Sequence, residues 1–187
     1  DQVMAMFARI DAKLGRLHGL VNNAGVVDVT ARVDEMSVAR WRRMFDINVI
    51  GSMLCAREAV RRMSTRHGGE GGSIVNVSSA ASRLGSAGQY VDYAAAKGGV
   101  ATLTKVFARE LAPQGVTVNS ISPGPLDLPV VRETVAPERL EQILKMIPAG
   151  TLGDPAFIAD SVLLLIADNA TSVTGACLDV NGGLFMR

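Results

Sequence analysis

Tyr93 and Lys97 stand four residues apart in Tyr93-Ala94-Ala95-Ala96-Lys97, at the head of a run of helix formers that continues to Ala112 and ends near Gly115. At that spacing on a helix, two side chains share a face, with Cβ atoms about 5–6 Å apart. A phenol titrates near 10 and is a poor base at pH 7; bringing it down by about three pH units takes roughly 4 kcal/mol in favour of the phenolate. A lysine ammonium about 4 Å away, at an effective dielectric near 20, supplies about that much. The pair can therefore act as a tuned acid and base where it lines a site. Facing solvent, the same spacing is an ordinary helix with a surface lysine.

The neighbouring segments show what would hold such a pair. Ile74-Val75-Asn76-Val77-Ser78-Ser79 is a short apolar run ending in hydroxyls. It reads as a buried strand with serines at its carboxyl end, where ligands sit in open α/β sheets. Leu17 to Val21 reads as another strand, leading into Asn22-Asn23-Ala24-Gly25. Small residues there allow close approach of backbone, and Gly25 permits a turn; a plain Asn-Gly-type turn would look the same. Ser37 can cap a long helix from Val38 to about Arg66. Trp41, Phe45, Val49, Met53, Val60 and Met63 give that helix an apolar side, and Asn48 is a polar residue within it. Arg42, Arg43, Arg57, Arg61 and Arg62 lie elsewhere on it and read as solvated charge, a partner-binding face being the other reading.

Val3, Met6, Phe7, Ile10 and Leu14 have helical spacing, with Gly15 as the stop. Val116 to Ile121 reads as a strand leading into Ser122-Pro123-Gly124, and Pro137 to Met146 as a helix. Asp154-Pro155 is a cap and first-turn pair for a helix running to Ala167. Ala176 to Val180 reads as the last strand, before Asn181-Gly182-Gly183. Strands alternating with helices predict an α/β fold, a parallel sheet with helices on both faces.

A chain of 187 residues suits one domain with enough length to bury a core. A formal net charge of +1 implies no broad basic surface for nucleic acid. Cys55 and Cys177 are too far apart in sequence to suggest a disulfide framework or zinc spacing, and read as buried reduced thiols of a cytosolic protein. No apolar run reaches the roughly 18 residues needed to cross a membrane. No signal peptide is visible, although the start of this chain need not be its natural start. Gly68-Gly69-Glu70-Gly71-Gly72 precedes a strand instead of following one, so it reads as a flexible connection and not as a phosphate loop. His67 beside it reads as exposed. His18 has no second ligand nearby, so no metal site is expected.

In chain order, Asn22-Asn23-Ala24-Gly25, Asn48, Ser78-Ser79, Tyr93 with Lys97, Pro123-Gly124 and Gly182-Gly183 resemble the motif set of the short-chain dehydrogenase/reductase family, over nearly all of the chain. The resemblance implies a Rossmann-like doubly wound parallel sheet and an oxidoreductase that uses NAD or NADP. Such an enzyme interconverts an alcohol and a ketone or aldehyde, here a small molecule that is sugar-like or 3-oxoacyl-like. A catalytically silent binding or subunit protein is the alternative. By the same resemblance, Tyr93 is the acid/base and Ser79 holds the substrate oxygen. Lys97 lowers the Tyr93 pKa and binds the nicotinamide ribose. Asn48 holds a local helix distortion and a water that relays protons to Lys97. Asn23, Ala24, Gly25, Asn48, Tyr93, Lys97, Pro123, Gly124 and Leu126 would contact the cofactor, with backbone groups of Pro123 to Leu126 facing the nicotinamide carboxamide. Ser79 is chosen over Ser78 by alignment, and Tyr93 over Tyr90 because Ala94 stands four residues after Tyr90.

The loop from Arg83 to Asp92 would line the substrate, and residues 128–150 would form a lid within a single domain spanning 1–187. Two positions depart from the family pattern: Leu128 where a Thr is frequent, and Asn181 where Asp is more frequent. The long helices at Val38–Arg66 and Tyr93–Ala112 resemble those that pair across a two-fold axis in the family, and the resemblance implies a homodimer or homotetramer; a cytoplasmic location is expected. No glycine-rich pyrophosphate loop occurs. The comparison implies that about 60 residues, with the N-terminal strands and the residue that selects NAD or NADP, precede this segment in family members.

Overall fold

In a computed structural model, residues 2–186 are described, Thr134 by its backbone alone. Two strands rich in β-branched residues form the centre of the sheet, β2 (Gly72–Val77) and β3 (Val116–Pro123). Ile74, Val75, Val116, Val118 and Ile121 are fully buried, as expected of parallel strands covered on both faces. β1 (Gly19–Asn22) and β4 (Cys177–Val180) flank them. The sheet order is β1-β2-β3-β4, every pair parallel. Leu20 registers with Ile74, Ile74 with Val118, and Ile121 with Leu178.

Helices cover both faces. On one, α1 (Gln2–Leu14), α3 (Gly51–Met63) and α5 (Val91–Leu111) supply Phe7, Ala56, Ala59, Met63, Ala108 and Leu111 to a core shared with Ile74, Val116 and Val118. On the other, α8 (Pro155–Ile166) packs Leu165, Ile158 and Val162 against Val75 and Ile121. Asp154 caps α8 as its sequence predicts, its carboxylate accepting from Ala156 N–H at 2.8 Å. The fold is therefore α/β and Rossmann-like. Two short helices, α4 (Ala81–Leu84) and α6 (Pro129–Thr134), are additions to the expected order, and α7 spans Pro137–Met146.

Three expectations change. The helix read over Val38 to Arg66 is interrupted where the resemblance implied a distortion, at Asn48: α2 (Val38–Phe45) passes through a π-helical turn at Asp46–Ile50 into α3. The Gly68–Gly72 stretch is a packed passage, not a flexible one. A Cβ on Gly69 would fall 2.4 Å from the Arg62 carbonyl oxygen, and one on Gly71 2.5 Å from the Gly115 oxygen. The chain enters β2 between two backbones there, and only glycine fits. The α3 arginines are not merely solvated. Arg57, Arg61 and Arg62 converge on Glu58, a carboxylate in a 4% exposed residue that must be compensated. Arg62 also clasps Asp11 of α1, with contacts of 2.6 and 2.7 Å.

One ion pair locks α2, α5 and the segment after β1 together. Arg40 meets both oxygens of Asp92, at 2.7 and 3.2 Å, and donates a third bond to the Val29 carbonyl. The Asp92 side chain is wholly buried. Burial alone would raise its pKa; the Arg40 guanidinium outweighs that and holds the carboxyl below its ordinary value. This contribution to stability is complete above about pH 4, the ordinary aspartate value, and drains as pH falls through the depressed native value. Arg40→Met should lower the unfolding free energy by roughly 3–5 kcal/mol at pH 7, because it strands a buried charge. In urea titrations the gap to wild type should narrow towards acid pH, as the orphaned carboxyl takes up a proton. An unchanged midpoint at pH 7 would contradict the assignment.

Candidate active site

The carboxyl ends of β1, β2 and β3 open on one edge of the sheet, and the expected site residues gather there. Lys97 lies on the inward side of α5 with 5% of its surface exposed. Its ammonium donates to the Val77 carbonyl, the last residue of β2, at 2.7 Å. Burial pushes its pKa down to about 8. Ser78 follows in the chain; its hydroxyl donates to the Lys97 backbone carbonyl at 3.0 Å. Ser78 is therefore occupied in tying α5 to the strand end. Ser79 is half-buried; its hydroxyl accepts from Ala81 N–H at 3.2 Å and lines a cleft of about 460 Å3.

Tyr93 is half-buried one helical turn before Lys97. The Lys97 nitrogen lies 5.8 Å from the centre of its ring. Here the structure corrects the expected electrostatics. Burial raises the Tyr93 phenol above its usual value, and the Ser79 side chain pulls only partly the other way. Lys97 does not supply the lowering because its ammonium is held against Val77. Tyr90, set aside on spacing, also lines the cleft. Its hydroxyl pairs with Thr30 Oγ1 at 3.1 Å.

Asn48 sits in the π turn at 1% exposure. Its amide clamps one residue through both of its backbone polar groups: Val26 N–H donates to its Oδ1 at 2.8 Å, and its Nδ2 donates to the Val26 carbonyl at 2.9 Å. A π turn widens the helix by one residue, which lets a mid-helix amide face a neighbouring loop. The clamp holds Asn23, Ala24 and Gly25 in a solvent-facing strip. Gly25 does not adopt a left-handed conformation. Its lack of a side chain serves close packing instead of the expected turn. An added Cβ would lie 2.8 Å from Asn48 Oδ1 and 3.3 Å from Lys97 Nζ.

At the end of β3, backbone groups expected to face a ligand are partly committed. The Pro123 carbonyl accepts from Ala80 N–H, and Gly124 N–H donates to Val180. A Cβ on Gly124 would fall 2.9 Å from Asn181 Cα, so this glycine also serves packing. The Leu126 N–H makes no hydrogen bond among the described residues. Leu128, where a hydroxyl was expected from the family, caps α6 with no side-chain bond. From the Arg83–Asp92 segment, Leu84, Gly85, Ser86, Gln89 and Tyr90 line the cleft, whereas Asp92 is withdrawn into its pair with Arg40.

Sequence reasoning missed the inner layer. Asn22 Nδ2 donates to Asn76 Oδ1 at 2.9 Å, Asn76 Nδ2 to Thr104 Oγ1 at 3.0 Å, and Thr104 to the Val100 carbonyl. This chain of bonds joins β1, β2 and α5 directly beneath the site. The signal was Asn76 inside an apolar strand, since a buried amide requires partners. Among the described residues no cluster of metal-ligating side chains occurs, and no helix is long and apolar enough to cross a membrane.

A parallel sheet with serine, tyrosine and lysine gathered at its strand ends is the arrangement of the short-chain dehydrogenases/reductases, and the chain belongs to that family. The family model described as enoyl-(acyl carrier protein) reductase matches residues 1–185. The chain is 43% identical over 183 residues to the uncharacterized oxidoreductase YgfF of Escherichia coli (strain K12), a match covering 98% of this chain and 74% of that protein. It is 39% identical to cis-4-hydroxycyclohexanecarboxylate dehydrogenase of Sinomonas cyclohexanicum, covering 98% and 72%. It is 36% identical to the 3-oxoacyl-(acyl-carrier-protein) reductase FabG of Staphylococcus aureus (strain Mu50 / ATCC 700699), covering 100% and 73%. These relatives place the chain among oxidoreductases of the short-chain type.

Gly25→Ala tests the packing of this site. The new methyl must displace the Asn48 amide or the Lys97 ammonium, which overpacking data put at about 1–3 kcal/mol. A fall in the thermal midpoint of roughly 2–4 °C per kcal/mol is expected. A variant as stable as wild type would show that the strip is not pinned as described.

Proposed function

We propose that the chain is an NAD(P)-dependent oxidoreductase interconverting an alcohol with a ketone or aldehyde. The observation that carries the reading is the meeting of Ser79, Tyr93 and Lys97 at the end of β2, with Ser79 open to a cleft and Ser78 not. In the direction of reduction, the Tyr93 hydroxyl gives its proton to the substrate oxygen; in oxidation the phenolate takes it back. A phenol that burial keeps protonated suits the first role. The Ser79 hydroxyl orients and polarises that oxygen. Lys97 supplies positive charge beneath the ring, and with its pKa near about 8 it can pass a proton near neutrality. Asn48 anchors the relay to the loop through Val26.

The residues present fit a nicotinamide cofactor. Asn23, Ala24 and Gly25 offer a solvent-facing strip of small side chains that lets a flat ligand approach backbone. The Leu126 N–H, without a hydrogen bond among the described residues, offers a donor for a carboxamide. Lys97, Tyr93 and Asn48 complete the reading, with Pro123 and Gly124 shaping the turn. When bound, such a cofactor supplies or accepts the hydride at the substrate carbon. Residues 128–150 act as a lid over the cleft, since Val135, Arg139, Ile143 and Met146 line it. Relatives named for a hydroxycyclohexanecarboxylate and for 3-oxoacyl groups support a substrate that is a small alcohol or carbonyl on an apolar body.

The test is a pair of tyrosine variants. Assayed with NADH and NADPH against a panel of ketones, Tyr93→Phe should lower kcat by at least about 100-fold, the usual effect of losing an acid/base. Tyr90→Phe should keep most of the activity. Equal damage in the two variants, or full activity in Tyr93→Phe, would overturn the assignment.

A further inference from the structure

The cleft beside Ser79 carries one cation, and what surrounds it narrows the substrate class. Leu84, Val135, Ile143 and Met146 give the cleft apolar surface beside the uncharged polar groups of Ser86, Gln89 and Tyr90. Arg139 is the single charged side chain among the residues that line it. The α6–α7 segment holds three cations, and two are already neutralised. Arg132 forks onto Asp127 at 2.5 and 2.6 Å, and Lys145 pairs with Glu141 at 2.7 Å. Arg139 forms no ion pair among the described residues; its guanidinium makes one hydrogen bond, to Gln142 Oε1 at 3.2 Å. A guanidinium presents five donors in a planar fork that matches a carboxylate with two parallel bonds. Most of that capacity is unspent.

We propose that Arg139 is a specificity-determining residue, selecting substrates that carry a carboxylate on an apolar body. The inference rests on the reading of this cleft as the substrate's place. One guanidinium balances one carboxylate, whereas a phosphate dianion would leave charge uncompensated against apolar walls. The walls take the body by burial, which does not discriminate between an acid and its amide. The cation supplies the discrimination, and its contact strengthens as the body of the bound ligand covers it from water. Arg139 touches the substrate away from the reacting oxygen, so it acts through binding and not through the proton step.

Calorimetric titration with 4-phenylbutanoate and its neutral counterpart 4-phenylbutanamide tests this without turnover. The wild-type protein should bind the acid about ten-fold or more tightly than the amide, equivalent to one well-formed charged contact. Arg139→Gln should abolish that preference and leave amide binding unchanged, and Arg139→Lys should retain part of it. The guanidinium is exposed, so neither substitution should disturb folding. Equal affinities for the two ligands, a preference that survives Arg139→Gln, or no binding of either would overturn the proposal. So would a weakened affinity for NAD or NADP in Arg139→Gln with the acid preference intact, which would assign the cation to the cofactor. Failure here is separable from failure of the proposed reaction. Turnover that depends on Tyr93 without an acid preference removes only this inference, and an acid preference without turnover removes only the reaction.

Discussion

A lysine ammonium withdrawn from water must find a hydrogen-bond acceptor, and much of this molecule is arranged around the one that Lys97 finds. The acceptor is the Val77 carbonyl, released from the sheet ladder because β2 ends there. Ser78 then returns a bond to the backbone of Lys97 itself. Two bonds in opposite directions thus weld the first turns of α5 to the end of a central strand. Tyr93, one turn earlier, and Ser79, one residue later, are carried to the same corner by that weld. Gly25 passes so close that a single methyl group would crowd the ammonium and collide with the Asn48 amide oxygen.

Around this centre, buried amides do what apolar packing cannot, which is to fix direction. Asn48 grips both polar groups of Val26, and Asn22, Asn76 and Thr104 join two strands to α5. Arg40 and Asp92 brace the same region from outside the sheet. Each is a directional contact in a low-dielectric setting, where a wrong partner is costly. The site is consequently rigid on its sheet side. The opposite wall of the cleft, built from α7 and the segment before α5, mixes Leu84, Ile143 and Met146 with Ser86, Gln89, Tyr90 and a single arginine.

The division between what the sequence disclosed and what it hid follows the range of the interactions. The four strands, the capped helix α8 and the stop of α1 were legible because periodicity and capping are local. The gathering of Ser79, Tyr93 and Lys97 was legible as an ordered set of motifs. The consequences of their packing were not. Tyr93 was expected to be lowered by Lys97, but burial raises it, and burial depends on segments distant in the chain. The distortion at Asn48 was implied only by the resemblance; the residues alone hide the π turn, because one extra residue in a helix leaves the apolar pattern almost unchanged. Gly68–Gly72 looked flexible by composition, yet it threads between the backbones of α3 and the β3 entrance. Pro123 and Gly124 are expected to offer backbone groups to a ligand; the Pro123 carbonyl and the Gly124 N–H are taken by Ala80 and Val180, partners that local sequence does not disclose.

The state of the Lys97 ammonium tests the central claim most directly. The chain contains four lysines, so side-chain NMR of lysine-labelled protein gives few signals, and the one lost in Lys97→Met identifies the group. A buried ammonium held by the Val77 carbonyl should titrate at about 8 in the ligand-free protein. Titration at the ordinary lysine value of about 10.4 would mean a solvated side chain, and a site not organised around Lys97 at all.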